Sequence, residues 1–268
     1  YVRLANPITP ERSVMRRSVL ASVVEIAEKN SRVRERLALF ELGQAFWPVE
    51  GQPLPEEPVQ LAIVMAGQVW PATWDRSHKT GLDFYDLKGV IEALLAQLHV
   101  PDVTFAPVEH ATFHPGKCAQ VKTGEVVLGV FGELHPLVKA RFDFVQPVVV
   151  AAEIDVVAVL AAAPVTFDME SVPAYPPILE DIAIIVDESV PAGQIDALIR
   201  QTGGRLLRDV RLFDIFRGAQ IGEGKKSMAY SLTYQAADRT LTDQDAAQLR
   251  NKIVRRLEQQ LGAKLRTA

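Results

Sequence analysis

The chain has 268 residues, 48% of them hydrophobic and 23% charged, an ordinary globular balance with room for one large domain or two smaller ones. No apolar run approaches the ~20 residues that a membrane-spanning helix needs, and the richest stretch, 147–165, is interrupted by Glu153, Asp155 and Pro164. The net charge of −4 conceals an asymmetry: 14 Lys and Arg face 7 Asp and Glu in 200–268, which leaves 15 against 26 in 1–199. A basic end on an acidic protein points to a polyanionic partner, nucleic acid first, although on charge counting alone a solvated basic surface is the simpler account. The single cysteine, Cys118, excludes an internal disulfide framework and fits a reducing cytoplasm. A start at Tyr1, directly in structured-looking sequence, predicts a piece of a longer polypeptide, so a missing targeting segment carries little weight.

In chain order, Thr9, Pro10 and Glu11 predict the cap and first turn of a helix that runs to Asn30, with Val14, Leu20, Val23, Val24 and Ala27 at helical spacing. Strands are predicted over 37–43 and 60–67, on either side of a turn through Pro53, Pro55 and Pro58. Asp83 caps a second helix whose apolar face is Leu87, Val90, Ile91, Leu94, Leu95 and Leu98. Short strands follow over 103–108, 119–122, 126–133 and 148–154. Most have no crossover helix between them, so an antiparallel sheet flanked by helices is the economical arrangement.

Four prolines in 161–177 mark a linker between a first domain, 1–165, and a second, 172–268. The second parses as strand 181–187, helix 191–201 ending at Gly203-Gly204, strands 206–213 and 227–235, a helix from Thr242 or Asp243 to about Leu261, and a last short strand at 264–266. This βαββαβ order is the ferredoxin-like arrangement, a fold that hosts many functions. The fold class is therefore α+β.

Few constellations suggest catalysis. His110, His114 and Cys118 stand four apart, but Pro115 and Gly116 break any helix there and no fourth ligand is spaced nearby. A turn with structural histidines is preferred to zinc. No Gly-x-Ser-x-Gly is present, and 221–227 imitates the tail of a phosphate loop but runs into a strand instead of a helix. Asp83 and Asp86 read as a capping device.

The basic end is more suggestive. Arg250, Lys252, Arg255 and Arg256 form a solvated helix face, whereas Arg217, Lys225 and Lys226 flank a Gly-rich loop beside Phe213 and Phe216. Cations beside an aromatic on a sheet edge suit single-stranded RNA, and Asp214 adds an acceptor for the N–H donors of a guanine edge. The alternative makes Phe213 and Phe216 both core. Strand alternation lets only one of them share a face with Asp214.

The residues together resemble one family, the beta subunit of bacterial phenylalanyl-tRNA synthetase, over essentially the whole chain. The similarity is carried by Asn6-Pro7 with 15–20 (MRRSVL), 39–43 (LFELG), 83–89 (DFYDLKG), 113–116 (FHPG), 129–136 (GVFGELHP), and near the end 212–218, 224–227 and 239–242. The resemblance implies that the first domain is a class II synthetase module with the fold but without the active site. In keeping with that, no GxGxxR-type segment and no FRxE-type arginine is found. It implies an anticodon-binding ferredoxin-fold second domain, tRNA-Phe and an alpha subunit as partners in an (αβ)2 assembly, and a cytoplasmic location. ATP and magnesium would serve the whole enzyme, with no cofactor in this stretch and the editing site and acidic magnesium-associated residues upstream. The chain alone would be inactive.

In that family an aspartate, an aromatic and a serine approach the wobble guanine. They fall on Asp214, Phe216 and Ser227, with Ala183 on the adjoining strand. Phe216 stands where the family often has Tyr, and Glu180-Asp181 where it usually has Arg-Asp. The rival function is a ferredoxin-like protein-interaction or regulatory module without RNA binding.

Overall fold

The computed structural model describes residues 1–70, 73–74, 80–167, 169 and 172–266, with Glu11 described by its backbone alone. It divides into two units, Tyr1–Asp168 and Met169–Ala268.

The first unit runs α1 (Val19–Ser31), β1 (Arg36–Gln44), β2 (Val59–Gly67), α2 (Phe84–Gln97), β3 (Val103–Pro107), β4 (Phe113–Thr123), β5 (Val126–Leu134), α3 (Pro136–Lys139), β6 (Val149–Asp155) and α4 (Val156–Ala162). Its six strands form one antiparallel sheet in the order β1-β2-β6-β5-β4-β3. Side chains of period two feed two cores. Ala62, Val64, Ala66, Val149 and Ala151 pack with α1, while Ile63, Met65, Val150, Ala152 and Ile154 pack with α2 and α4. Both faces of the sheet's centre are thus buried.

The first helix starts later than its sequence signals predict. Thr9 and Pro10 open only a 3-10 turn, Pro10–Arg12. Backbone groups of the next residues are then spent on the N-terminal segment: Leu4 N donates to Ser13 O at 2.9 Å and Met15 N to Val2 O at 2.8 Å. Ser18 is the true cap, its Oγ accepting from Leu20 N at 3.1 Å. Asp83 caps α2 as expected, in a capping box with Asp86. Helix α4 was not foreseen; it follows β6 directly and only its end, 161–162, reaches into the expected linker, and Asp155 caps it by accepting from Ala158 N at 3.0 Å. Of that linker, 168, 170 and 171 lie outside the described residues.

The motif residues of this unit prove to be partners of one another. Arg16 Nη1 meets Glu41 Oε1 at 2.6 Å and its Nε donates to Gln44 O at 2.9 Å. A Cβ on Gly43 would stand 2.3 Å from Arg16 Nη2, so the glycine leaves room for that guanidinium. Ser18 Oγ donates to the Glu153 carboxylate, which also accepts from Gln60 Nε2 at 2.8 Å.

The second unit runs β7 (Ile178–Asp187), α5 (Ala192–Gly203), β8 (Leu207–Phe216), β9 (Lys225–Tyr234), α6 (Asp243–Leu261) and β10 (Lys264–Leu265). The strands pair antiparallel in the order β10-β7-β9-β8. One core serves the unit: Ile182, Ile184, Val186, Met228, Tyr230, Leu232 and Tyr234 from the sheet meet Ile195, Leu198 and Ile199 of α5 and Ala246, Ile253 and Leu257 of α6. Both helices therefore lie on one face of the sheet. Thr242 caps α6 in a capping box with Asp245.

Candidate nucleic-acid interface

On β7 and β9 the residues between the buried ones point away from the helices: Asp181, Ala183 and Ile185 on one strand, Ser227, Ala229, Ser231 and Thr233 on the other. No α-helix among the described residues of this unit lies over them, and the alanine, serine and threonine among them make a shallow floor.

Register sets what stands on that floor. Ala183, Ala229 and Asp214 lie in one row across three strands, and Ile185, Ser227 and Phe216 in the next. The irregularity of β8 between Leu212 and Asp214 decides which residues reach it. It leaves Phe213 out of the pairing and half exposed, and brings Asp214 and Phe216 to the open face. Neither phenylalanine belongs to the core cluster.

Asp214 is exposed and makes no hydrogen bond or ion pair with a described residue. Its carboxylate is thus a ready acceptor. Phe216 is half-buried, and two neighbours place its ring. A Cβ on Gly218 would come within 2.7 Å of the ring's Cζ, so the glycine lets the chain turn directly against the ring. From the opposite edge, Arg266 extends across the sheet, its guanidinium carbon 5.4 Å from the ring centroid and its backbone N donating to Ala183 O at 2.8 Å. Ser227 is recessed, at 3% exposure, in the same row as Phe216.

The expected cations are arranged differently from the sequence reading. Lys226 alternates onto the helix side, is 8% exposed, and donates from Nζ to Glu188 O at 2.9 Å. Its ammonium holds the turn after β7 and does not reach the open face. Arg217 is ion-paired with Glu188 at 2.7 Å, and its hydrogen bonds hold that carboxyl below the usual carboxylate range. Lys225 is half-buried at the start of β9. The loop before it contains one 3-10 turn, Ala219–Ile221, and leads into a strand.

Two residues of the open face escaped the sequence reading. Arg266 was seen only as the end of a strand, and Arg211 not at all. The signal for Arg266 was available, because a βαββαβ order sets the last strand beside the first. Arg211 could not be placed without register, which aligns it with Ser231 and Asp181. Glu180, the anion in an unusual position, faces the helices: Arg250 lies 3.6 Å away on α6. Its charge is directed away from the floor.

His110, His114 and Cys118 do not assemble a site. His110 opens a turn through Ala111 and Thr112, closed by Phe113 N donating to His110 O at 3.0 Å, whereas His114 and Cys118 lie in β4, which continues through a register shift. His110 Nδ1 accepts from Thr112 N at 3.3 Å, and Cys118 is buried in the core against α1, where burial pushes its thiol pKa up. Among the described residues no three His, Cys, Asp or Glu side chains are grouped to hold a metal. No helix there is long and apolar enough to cross a membrane.

Comparison with known proteins gives this geometry a context. A family model described as the phenylalanyl tRNA synthetase beta chain CLM domain matches residues 1–156, and one described as a ferredoxin-fold anticodon binding domain matches 173–266. The chain belongs to the phenylalanyl-tRNA synthetase beta chain family. It is 39% identical to the phenylalanine–tRNA ligase beta subunit of Symbiobacterium thermophilum, over 98% of this chain and 29% of that protein. The beta subunits of Moorella thermoacetica and Clostridium tetani are 40% and 37% identical, each over 99% of this chain and 33% and 32% of theirs. The chain thus spans about a third of the length of these beta-subunit relatives. Within the beta-chain family, the open sheet face falls in the anticodon-binding domain and the doubly covered sheet in the CLM domain.

Proposed function

We propose that this chain is the part of a phenylalanine–tRNA ligase beta subunit that holds the tRNA anticodon and supports the catalytic partner subunit, in the cytoplasm and without chemistry of its own. The observation that carries the first half is the uncovered face of the second sheet. There an unpaired carboxylate, Asp214, a ring fixed on its edge, Phe216, and a guanidinium, Arg266, stand over a floor of Ala183, Ser227 and Ala229. A base can stack on the ring, its N–H edge can donate to Asp214, and the arginines at 211 and 266 can offset phosphate charge. Phe216 stacks but offers no hydroxyl. Ser227, being recessed, suits a contact at the floor of the pocket.

The second half rests on apolar surface in the first unit. Phe40 and Leu42 on the edge strand β1 are 76% and 60% exposed, and Val157 and Leu160 of α4 are also exposed. Large exposed apolar side chains on a sheet edge favour a protein partner. The alpha subunit in an (αβ)2 assembly is the reading the family supports. ATP would be bound by that partner and magnesium outside this stretch, and no step assigned to this chain runs through them.

The test is titration of the chain with tRNA-Phe and with a tRNA-Phe changed at the wobble guanine. Asp214→Ala is expected to weaken binding to the first by about 1–3 kcal/mol and to abolish the difference between the two. A folded variant that binds both as the parent does would remove the assignment. The rival protein-interaction module would show no salt-sensitive tRNA binding in the unmutated chain.

A further inference from the structure

The helix side of the second unit carries a groove that the sheet-face reading does not use. It lies between α5 and α6, encloses about 660 Å³, and is lined by Gln201 and Thr202 from α5 and by Gln248, Asn251, Gln259 and the cations Lys252, Arg255 and Arg256 from α6. No carboxylate lines it. Four other arginines of the unit are ion-paired: Arg200 with Asp196, Arg217 with Glu188, Arg239 with Asp245 and Arg250 with Glu180. Lys252, Arg255 and Arg256 make no ion pair with a described residue.

Intramolecular needs do not account for three such charges. The carboxyl end of α5 lies at this groove, but a helix end carries only about half an elementary charge, which one cation offsets. At i, i+3 and i+4, Arg255 and Arg256 each lie about 5–6 Å from Lys252 on one side of the helix. Around them stand amides and a hydroxyl, the neutral groups that, with Lys and Arg, bond phosphate oxygens. No aromatic and no acceptor carboxylate is there to read a base. We propose that the α5–α6 groove is a second RNA site, which takes the phosphate backbone without regard to sequence and is separate from the sheet face.

Fluorescence anisotropy of the whole chain with labelled poly(U) and with tRNA-Phe, over a series of salt concentrations, tests this. In Lys252→Gln/Arg255→Gln/Arg256→Gln the log–log salt slope for poly(U) should fall by about 2, as expected for three phosphate contacts on a single strand. Affinity for poly(U) at low salt should drop at least tenfold, and circular dichroism should match the parent, since all three side chains are exposed. An unaltered slope in the folded triple variant, or a parent chain that does not bind poly(U), overturns the proposal. So does a triple variant that keeps its RNA slope and loses the partner subunit, which would make the groove a protein contact. Failure of the sheet-face reading is read separately, as indifference of tRNA-Phe binding to Asp214→Ala.

Discussion

The two sheets of this molecule are built from the same antiparallel pairing but are covered differently. The first is apolar on both faces at its centre, because β2 and β6 send alternate residues into one core with α1 and into another with α2 and α4. The second sends Ile182, Ile184 and Val186 of β7 and Met228, Tyr230, Leu232 and Tyr234 of β9 into a single core, and its other face carries mostly alanine, serine and threonine beside Leu179, Asp181 and Ile185. Large apolar groups on the uncovered face are few, which limits aggregation. That face is free to carry a ligand. The contrast separates a unit whose residues chiefly hold one another from one that sets Asp214, Phe216 and Arg266 on an uncovered face.

That separation can be broken, most severely first. Phe131→Ala empties a fully buried site where Phe84 stacks at 4.9 Å and Phe105 meets the ring edge-on at 5.8 Å. It should cost about 3–5 kcal/mol in denaturant unfolding of the first unit. RNA binding by the second unit should persist while the chain remains folded, and parallel loss of both would show that the units are not independent in this respect.

Ala229→Leu raises the floor between Asp214 and Ala183 without entering a core. Stability should change by about 0.5 kcal/mol or less, the usual range for a surface substitution. Affinity for tRNA-Phe should fall by ~1–3 kcal/mol, the scale of one lost base–ring contact. A filled floor that binds tRNA normally would place the anticodon elsewhere.

The smallest effect concerns Glu188, whose carboxyl is held low chiefly by its hydrogen bond to Arg217. A depressed pKa in the folded state contributes stability above the unfolded value of about 4.3. That contribution is lost as pH falls through the folded pKa. Glu188→Gln should therefore flatten the stability curve on the acid side and leave it nearly unchanged at lower pH. Equal acid sensitivity in parent and variant would remove Arg217 as the cause.

Much of the fold was legible in the chain. Alternation in 181–187 and 227–235, the Gly203-Gly204 stop and the Thr242 cap led to the βαββαβ order, because each is a local signal with a fixed period or a fixed chemical role. The start of α1 was misread for an equally local reason. Thr9-Pro10-Glu11 has the chemistry of a cap, but residues 13–15 bond to 2–4, a pairing no local pattern announces. Lys226 shows the same limit. Its charge read as solvent-facing, while one step of strand alternation carried it beneath Glu188.

The sequence by itself determined which residue types were available, where the chain turns, and, through motif resemblance, the family. Composition, period and turn chemistry act over a few residues and survive in one dimension. Only the tertiary structure decided which of those residues share a face. The irregularity in β8 brings Asp214 and Phe216 to the open side, β10 beside β7 brings Arg266 across to Phe216, and α6 against α5 gathers Lys252, Arg255 and Arg256 around one groove. Each depends on register between strands, or packing between helices, far apart in the chain. A one-residue slip in a strand would exchange the exposed set for the buried one.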